Sequence, residues 1–74
     1  VELRWNNVPS EAKKVVIYRA EGEDTLCTYT SVAGNISGFT DNQVSTGKKY
    51  RYVIQPVSKD GKHLTPSDPL DINL

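Results

Sequence analysis

The 74-residue chain contains no methionine and only one cysteine, one histidine, one tryptophan and one phenylalanine. Cys27 alone can form no internal disulfide and no cysteine-rich zinc site. His63 offers a single metal ligand where zinc takes three or four. Charge of either sign is not in excess. Nine Lys and Arg balance nine Asp and Glu, which argues against the basic stripe of a nucleic-acid binder. Long hydrophobic runs are missing too. The longest is Val15–Tyr18, against the roughly 20 residues of a spanning helix, so no membrane insertion is expected. No charged-then-apolar leader opens the chain at Val1, and we expect it to be processed or cut from something longer. At 36% hydrophobic and 24% charged residues the composition is polar but that of a folded domain. A domain this short buries only about 60% of its unfolded surface, which leaves little room for a catalytic cleft.

What is present is alternation of period two, the sheet signal, with almost no helical periodicity. Val1-Glu2-Leu3-Arg4-Trp5 alternates apolar and charged, and Asn6-Asn7-Val8-Pro9-Ser10 then breaks the strand. Val15–Arg19 is β-branched and aromatic, a second strand. Ala20–Asp24, with Gly22, reads as a turn. Leu26–Val32 reads as a Thr-rich edge strand and Phe39-Thr40 as a short one. In Tyr50–Val57 the residues Tyr50, Tyr52 and Ile54 alternate with Arg51, Val53 and Gln55. Asp60-Gly61 follows as a hairpin turn, since glycine accepts positive φ. Leu70, Ile72 and Leu74 alternate along a last strand behind Pro66 and Pro69, which suit an edge. No repeat and no linker interrupts the pattern, so residues 1–74 are one domain. Six short strands at this spacing predict an all-β sandwich.

Several stretches together resemble a fibronectin type III module, an immunoglobulin-like fold. Leu3-Arg4-Trp5 with Val8-Pro9 is similar to the family's opening core motif. Val15-Val16-Ile17-Tyr18-Arg19 resembles the third family strand in its bacterial form, and Phe39-Thr40-Asp41 the fifth. Val44-Ser45-Thr46-Gly47-Lys48-Lys49-Tyr50 resembles the corner before the sixth strand. The resemblance makes Tyr50 the corner tyrosine, its ring buried and its hydroxyl bonded to nearby backbone. Two departures stand out. Nothing before Leu3 serves as the family's first strand, leaving the opening strand with an unpaired edge that native proteins normally cover. Pro56 stands late in its strand and is expected to end the ladder early.

Candidate chemistry is sparse. Cys27 and His63 lie on different strands without a supporting motif, so a thiolate dyad is rejected in favour of a semi-buried thiol and a solvated imidazole. Glu21, Glu23 and Asp24 lack the regular ligand spacing of a calcium loop. Thr46-Gly47-Lys48 lacks the first glycine of a phosphate loop, and Lys49 stands where its hydroxyl residue belongs. Lys13-Lys14 and Lys48-Lys49 read as solubilising pairs. Asn35-Ile36-Ser37 is a glycosylation triplet in an expected loop. More distinctive is the face opposite the core, where Val16, Tyr18, Arg51, Val53 and Gln55 are expected to point outward. Tyrosine and arginine beside apolar residues is the composition of an interaction surface.

The expected core comprises Leu3, Trp5, Val15, Ile17, Phe39, Val44, Tyr50, Tyr52, Ile54 and Ile72, with Val57 and Leu70 at its margin. No catalytic residue, metal ligand or cofactor is expected. The resemblance implies a non-catalytic accessory or spacer module of a larger secreted or cell-surface protein, whose partners are its neighbouring domains. An alternative is a protein-binding module, of adhesion or receptor type, using the outward face or the loops 6–10 and 59–62.

Overall fold

A computed structural model describes residues 1–6 and 8–74, so the expected loop 6–10 falls partly outside the described residues at Asn7. Among the described residues six strands form: β1 (Glu2–Arg4), β2 (Ala12–Glu21), β3 (Cys27–Ala33), β4 (Gly38–Thr40), β5 (Lys49–Ser58) and β6 (Leu70–Asn73). No helix occurs among the described residues. All pairings are antiparallel, in a two-stranded sheet β1–β4 and a four-stranded sheet β3–β2–β5–β6. The chain is thus all-β and sandwich-like, two strands facing four.

The long β2–β5 pair is the spine. Ile17 lies opposite Ile54, Arg19 opposite Tyr52 and Glu21 opposite Tyr50. Because side chains alternate across a strand, these residues share the face turned toward the smaller sheet. Leu3, Ile17, Tyr50 and Tyr52 are buried there, with Val1, Trp5, Val32, Phe39, Val44, Ile54 and Ile72 packed around them. Val15 is fully buried and Val57 nearly so. Tyr29 falls in a bulge of β3, between the pairs Ile17–Thr30 and Tyr18–Thr28, and its ring meets Phe39 edge-on at 6.2 Å. That contact seats β4 over the β3 side of the larger sheet.

Two expectations need correction. Pro56 does not end the ladder, because pairing runs on through Val57 and Ser58. The Pro56 carbonyl accepts from the Leu64 N–H at 2.9 Å, so this residue's backbone points away from β2. The donor that proline lacks is therefore missing only on the side where segment 62–67 passes. Leu70, expected at the core margin, is 48% exposed. It pairs with Tyr52 and so shares the inward face, but a two-stranded sheet cannot roof four strands and leaves β6 uncovered. Trp5 is only half-buried for the same reason, and its indole N–H is buried without an acceptor.

Turn chemistry follows the sequence more closely. Gly61 takes φ +83°, its N–H donates to Ser58 O at 3.0 Å, and Ser58 N–H donates to Lys62 O at 2.9 Å. The expected hairpin forms, but only His63 continues it as a single bridge to Val57 before Pro66 and Pro69 intervene. Gly34 serves a close approach instead. Its N–H donates to Lys13 O at 2.9 Å, and a Cβ there would overlap the Ala12 carbonyl oxygen, a backbone atom with no room to retreat. Gly34→Ala is therefore expected to destabilise by about 1–3 kcal/mol through overpacking. Thermal unfolding checks this, and an unchanged midpoint would show that the β3–β4 turn relaxes freely.

Candidate functional site

The densest polar chemistry in the chain converges on Asp41, the residue after β4. Its side chain is fully buried. Oδ2 accepts from Tyr52 Oη at 2.6 Å and from Arg19 Nη1 at 2.8 Å. Oδ1 accepts from Tyr29 Oη at 2.8 Å and from the Gln43 N–H at 3.0 Å. The main chain joins in, since Asp41 N–H donates to Val1 O at 2.7 Å and the Val1 ammonium donates to Asp41 O at 3.0 Å. One residue is thereby bonded to the residue leading into β1 and to side chains on β2, β3 and β5.

Arg19 is the cationic partner. Its Nη1 also donates to Gln43 O at 2.9 Å, and its guanidinium carbon lies 4.0 Å from the Tyr29 ring centroid and 5.4 Å from that of Tyr50. Cation–π attraction grows as water is excluded, and the Arg19 side chain is only 16% exposed. Burial alone would raise the Asp41 pKa, but hydrogen bonds from Tyr52, Gln43, Arg19 and Tyr29 outweigh it and lower the value to about 2. The Tyr52 hydroxyl is pushed up, first by burial and then by its bond to the carboxylate. Burial lowers the Arg19 pKa, but its bond and charge attraction to Asp41 more than offset this and leave it raised. A carboxylate has roughly four acceptor positions, and four donors fill them. All four positions are taken by donors of the chain itself, so the cluster acts as a structural tie between the strands.

Sequence reasoning missed this cluster although a signal was present. Alternation along Val15, Ile17 and Arg19 carries a cation onto the buried face, and a buried charge requires a partner. The only clue to which partner was Asp41 at the end of the Phe39-Thr40-Asp41 stretch. Another expectation from that region has its geometry in place. Tyr50 is buried, and its Oη accepts from the Ser45 N–H at 2.8 Å.

The five residues expected to point outward do share a face, since Val16 pairs with Gln55, Tyr18 with Val53 and Ala20 with Arg51. Only Arg51 is exposed; Tyr18 and Gln55 are half-buried. Val16 and Val53, expected at the centre of an exposed apolar patch, are 7% and 9% exposed. Tyr18 Oη donates to Gln55 Oε1 at 2.8 Å, across the diagonal of the square these residues form, and draws two large side chains over the valines. Gln55 Nε2 donates to Leu64 O at 3.0 Å, and His63 Nδ1 lies 3.0 Å from Gln55 Oε1. The face is thus a polar lattice over apolar side chains. Arg51 reaches the other way, to Asp71 on β6, in a two-bond pair at 2.7 and 3.1 Å.

The remaining candidates stay apart. Cys27 is exposed and not semi-buried, because β3 is an edge strand. It pairs with Arg19, whereas His63 bridges to Val57 beside Lys14. Five residues of β2 separate those levels, about 16 Å at strand rise. Glu21 is tied to Lys48 at 2.6 Å, and Gly47 N–H donates to Leu74 O at 2.8 Å. Asn35 is exposed in the β3–β4 turn. Among the described residues no three His, Cys, Asp or Glu side chains are grouped to hold a metal. Compared with family models, curated proteins and solved structures, the chain matches none of them.

The tie has a pH signature. The Asp41 pKa stands below its ordinary value of 3.8 in the folded chain, so its contribution to stability is fully present above about pH 4–5 and is lost as pH falls toward 2. Tyr29→Phe removes one donor to a charged acceptor. It is expected to cost about 1.5–3 kcal/mol at neutral pH and to move acid unfolding to higher pH. Urea unfolding at pH 7, 4 and 2.5 checks both, and a Tyr29→Phe curve superimposing on the wild type would contradict the tie.

Proposed function

We propose that the chain is a non-catalytic accessory or spacer module of the fibronectin type III kind, part of a larger secreted or cell-surface protein, that positions its neighbouring domains. The observation that supports this reading is the use made of Asp41, Arg19, Tyr29 and Tyr52. Every strong donor and acceptor in the cluster is bonded within the chain, so its chemistry fixes one sheet against the other. The corner bond from Ser45 N–H to Tyr50 Oη favours the resemblance on which the module reading rests. A spacer works by geometry, and a body with principal extents of 39 × 21 × 17 Å sets a separation that a flexible linker cannot hold. The extracellular setting follows from the kind of protein the resemblance implies.

One specific observation favours a second reading, a protein-binding module. Tyr18, Gln55 and His63 form a hydrogen-bonded polar set next to the exposed Arg51. Under that reading Tyr18→Ala or Arg51→Ala weakens a partner without loss of folding, with Tyr18→Ala lowering the thermal midpoint because its bond to Gln55 is removed.

The spacer reading is tested by inserting the chain between two fluorescent domains and measuring their distance distribution by energy transfer. A narrow distribution that differs from a Gly/Ser linker of 74 residues is expected. A distribution as broad as the flexible linker's would overturn the reading.

A further inference from the structure

We propose that Asp60-Gly61 is a latent site of aspartate isomerisation, and that Ser58 is the residue that holds it closed. This goes beyond the accessory role and does not depend on it, since it concerns the bonds of one turn.

The sequence supplies the reactive pair. Asp60-Gly61 is the one place in the 74 residues where an Asp or Asn precedes glycine. Without a side chain on Gly61, nothing hinders its amide nitrogen from attacking the neighbouring carboxyl carbon. The nitrogen loses its proton and bonds to Asp60 Cγ, a carboxyl oxygen leaves as water, and a cyclic imide forms. Water then adds back. When it opens the ring at the original main-chain carbonyl of Asp60, the chain afterwards runs through the side-chain carbonyl, as isoaspartate. The water gained equals the water lost, so no other reactant is needed. Asp60 and Gly61 are both exposed, and solvent reaches the site of both steps.

Ser58 opposes the reaction at each of its partners. The Gly61 N–H donates to Ser58 O at 3.0 Å, so the nitrogen that must lose its proton and swing onto Cγ is fixed in the turn. Ser58 Oγ donates to Asp60 Oδ1, which ties down the carbon to be attacked. That bond is also the largest cause that lowers the Asp60 pKa, and an ionised carboxylate reacts poorly because its oxygen cannot leave as water. Ser58 is itself anchored. It is 7% exposed, pairs with Ala12 on β2, and accepts from the Lys62 N–H at its Oγ at 3.1 Å. A buried strand residue thus clamps an exposed turn at nucleophile and electrophile together.

Isomerisation inserts an extra carbon into the main chain between Asp60 Cα and Gly61 N. The bonds from Ser58 to Gly61 and Lys62 then no longer fit the turn. Just beyond it, His63 bridges to Val57 and the Leu64 carbonyl holds Gln55. Opening the site therefore loosens the polar lattice over Val16 and Val53.

The folded 74-residue chain is incubated at neutral pH beside the free peptide Val-Ser-Lys-Asp-Gly-Lys-His of residues 57–63. Isoaspartate is read by the methyl groups that an isoaspartyl methyltransferase adds, and is located by peptide mapping. The folded chain is expected to isomerise several-fold more slowly than the peptide. Ser58→Ala keeps the main-chain bond and removes the hydroxyl, and is expected to raise the rate several-fold. If it does not unfold cooperatively, Ser58→Cys, with only a weak donor, takes its place. Tyr29→Phe weakens the fold at the other end of the β2–β5 pair and is expected to keep the wild-type rate. Asp60→Glu is expected to abolish the signal, because the larger ring closes far less readily. A wild-type rate equal to the peptide's, folded Ser58 variants as slow as the wild type, equal acceleration in Tyr29→Phe, or methylation that persists in Asp60→Glu would each overturn the proposal.

Discussion

Everything in this small fold leans on a buried carboxylate that faces both sheets. Taking an ion out of water costs several kcal/mol unless each of its acceptor positions is satisfied. Asp41 meets that condition with four donors drawn from β2, β3, β5 and its own loop. The penalty for any other arrangement makes the tie a device of specificity. Slide the smaller sheet by one residue and the carboxylate leaves Tyr52 and Arg19 while remaining dehydrated. In a 74-residue chain whose fully buried apolar set is short, such a penalty selects one alignment of the sheets more sharply than nonpolar packing alone.

The same small size explains the asymmetry of the fold. Two strands cannot cover four, so the smaller sheet lies over the spine and the inward face of β6 meets solvent. Leu70 and the indole of Trp5 record this directly, one exposed at 48% and the other with an unbonded N–H. Strength is therefore concentrated on one side of the molecule. Asp41, Arg19 and Tyr29 close the β2–β3 side, while among the described residues no strand pairs with the outer edges of β1 and β6.

Much of the architecture was legible in the sequence because period-two alternation is a local signal. Leu3, Ile17, Tyr50 and Tyr52 were readable as inward residues, and Gly61 as a turn. What was not legible depended on partners distant in the chain. Pro56 looked like a ladder breaker, but which edge its nitrogen faces follows from the pairing phase of β5. Leu70 has the right period for the core and lacks only a roof. Val16 and Val53 sit on the outward face as expected, yet the Tyr18–Gln55 bond covers them. Arg19 was read as the end of a strand, and its partner lies 22 residues away. No composition or periodicity argument spans that gap, although a cation on an apolar face was itself a warning.

The most direct measurement is the pKa of the Asp41 carboxyl in the folded chain, followed by its carboxyl carbon resonance through an acid titration. Four donors from across the fold hold the value near 2, below the ordinary 3.8. A value at or above the ordinary one would mean that burial is not compensated. The two sheets would then be held by apolar packing alone.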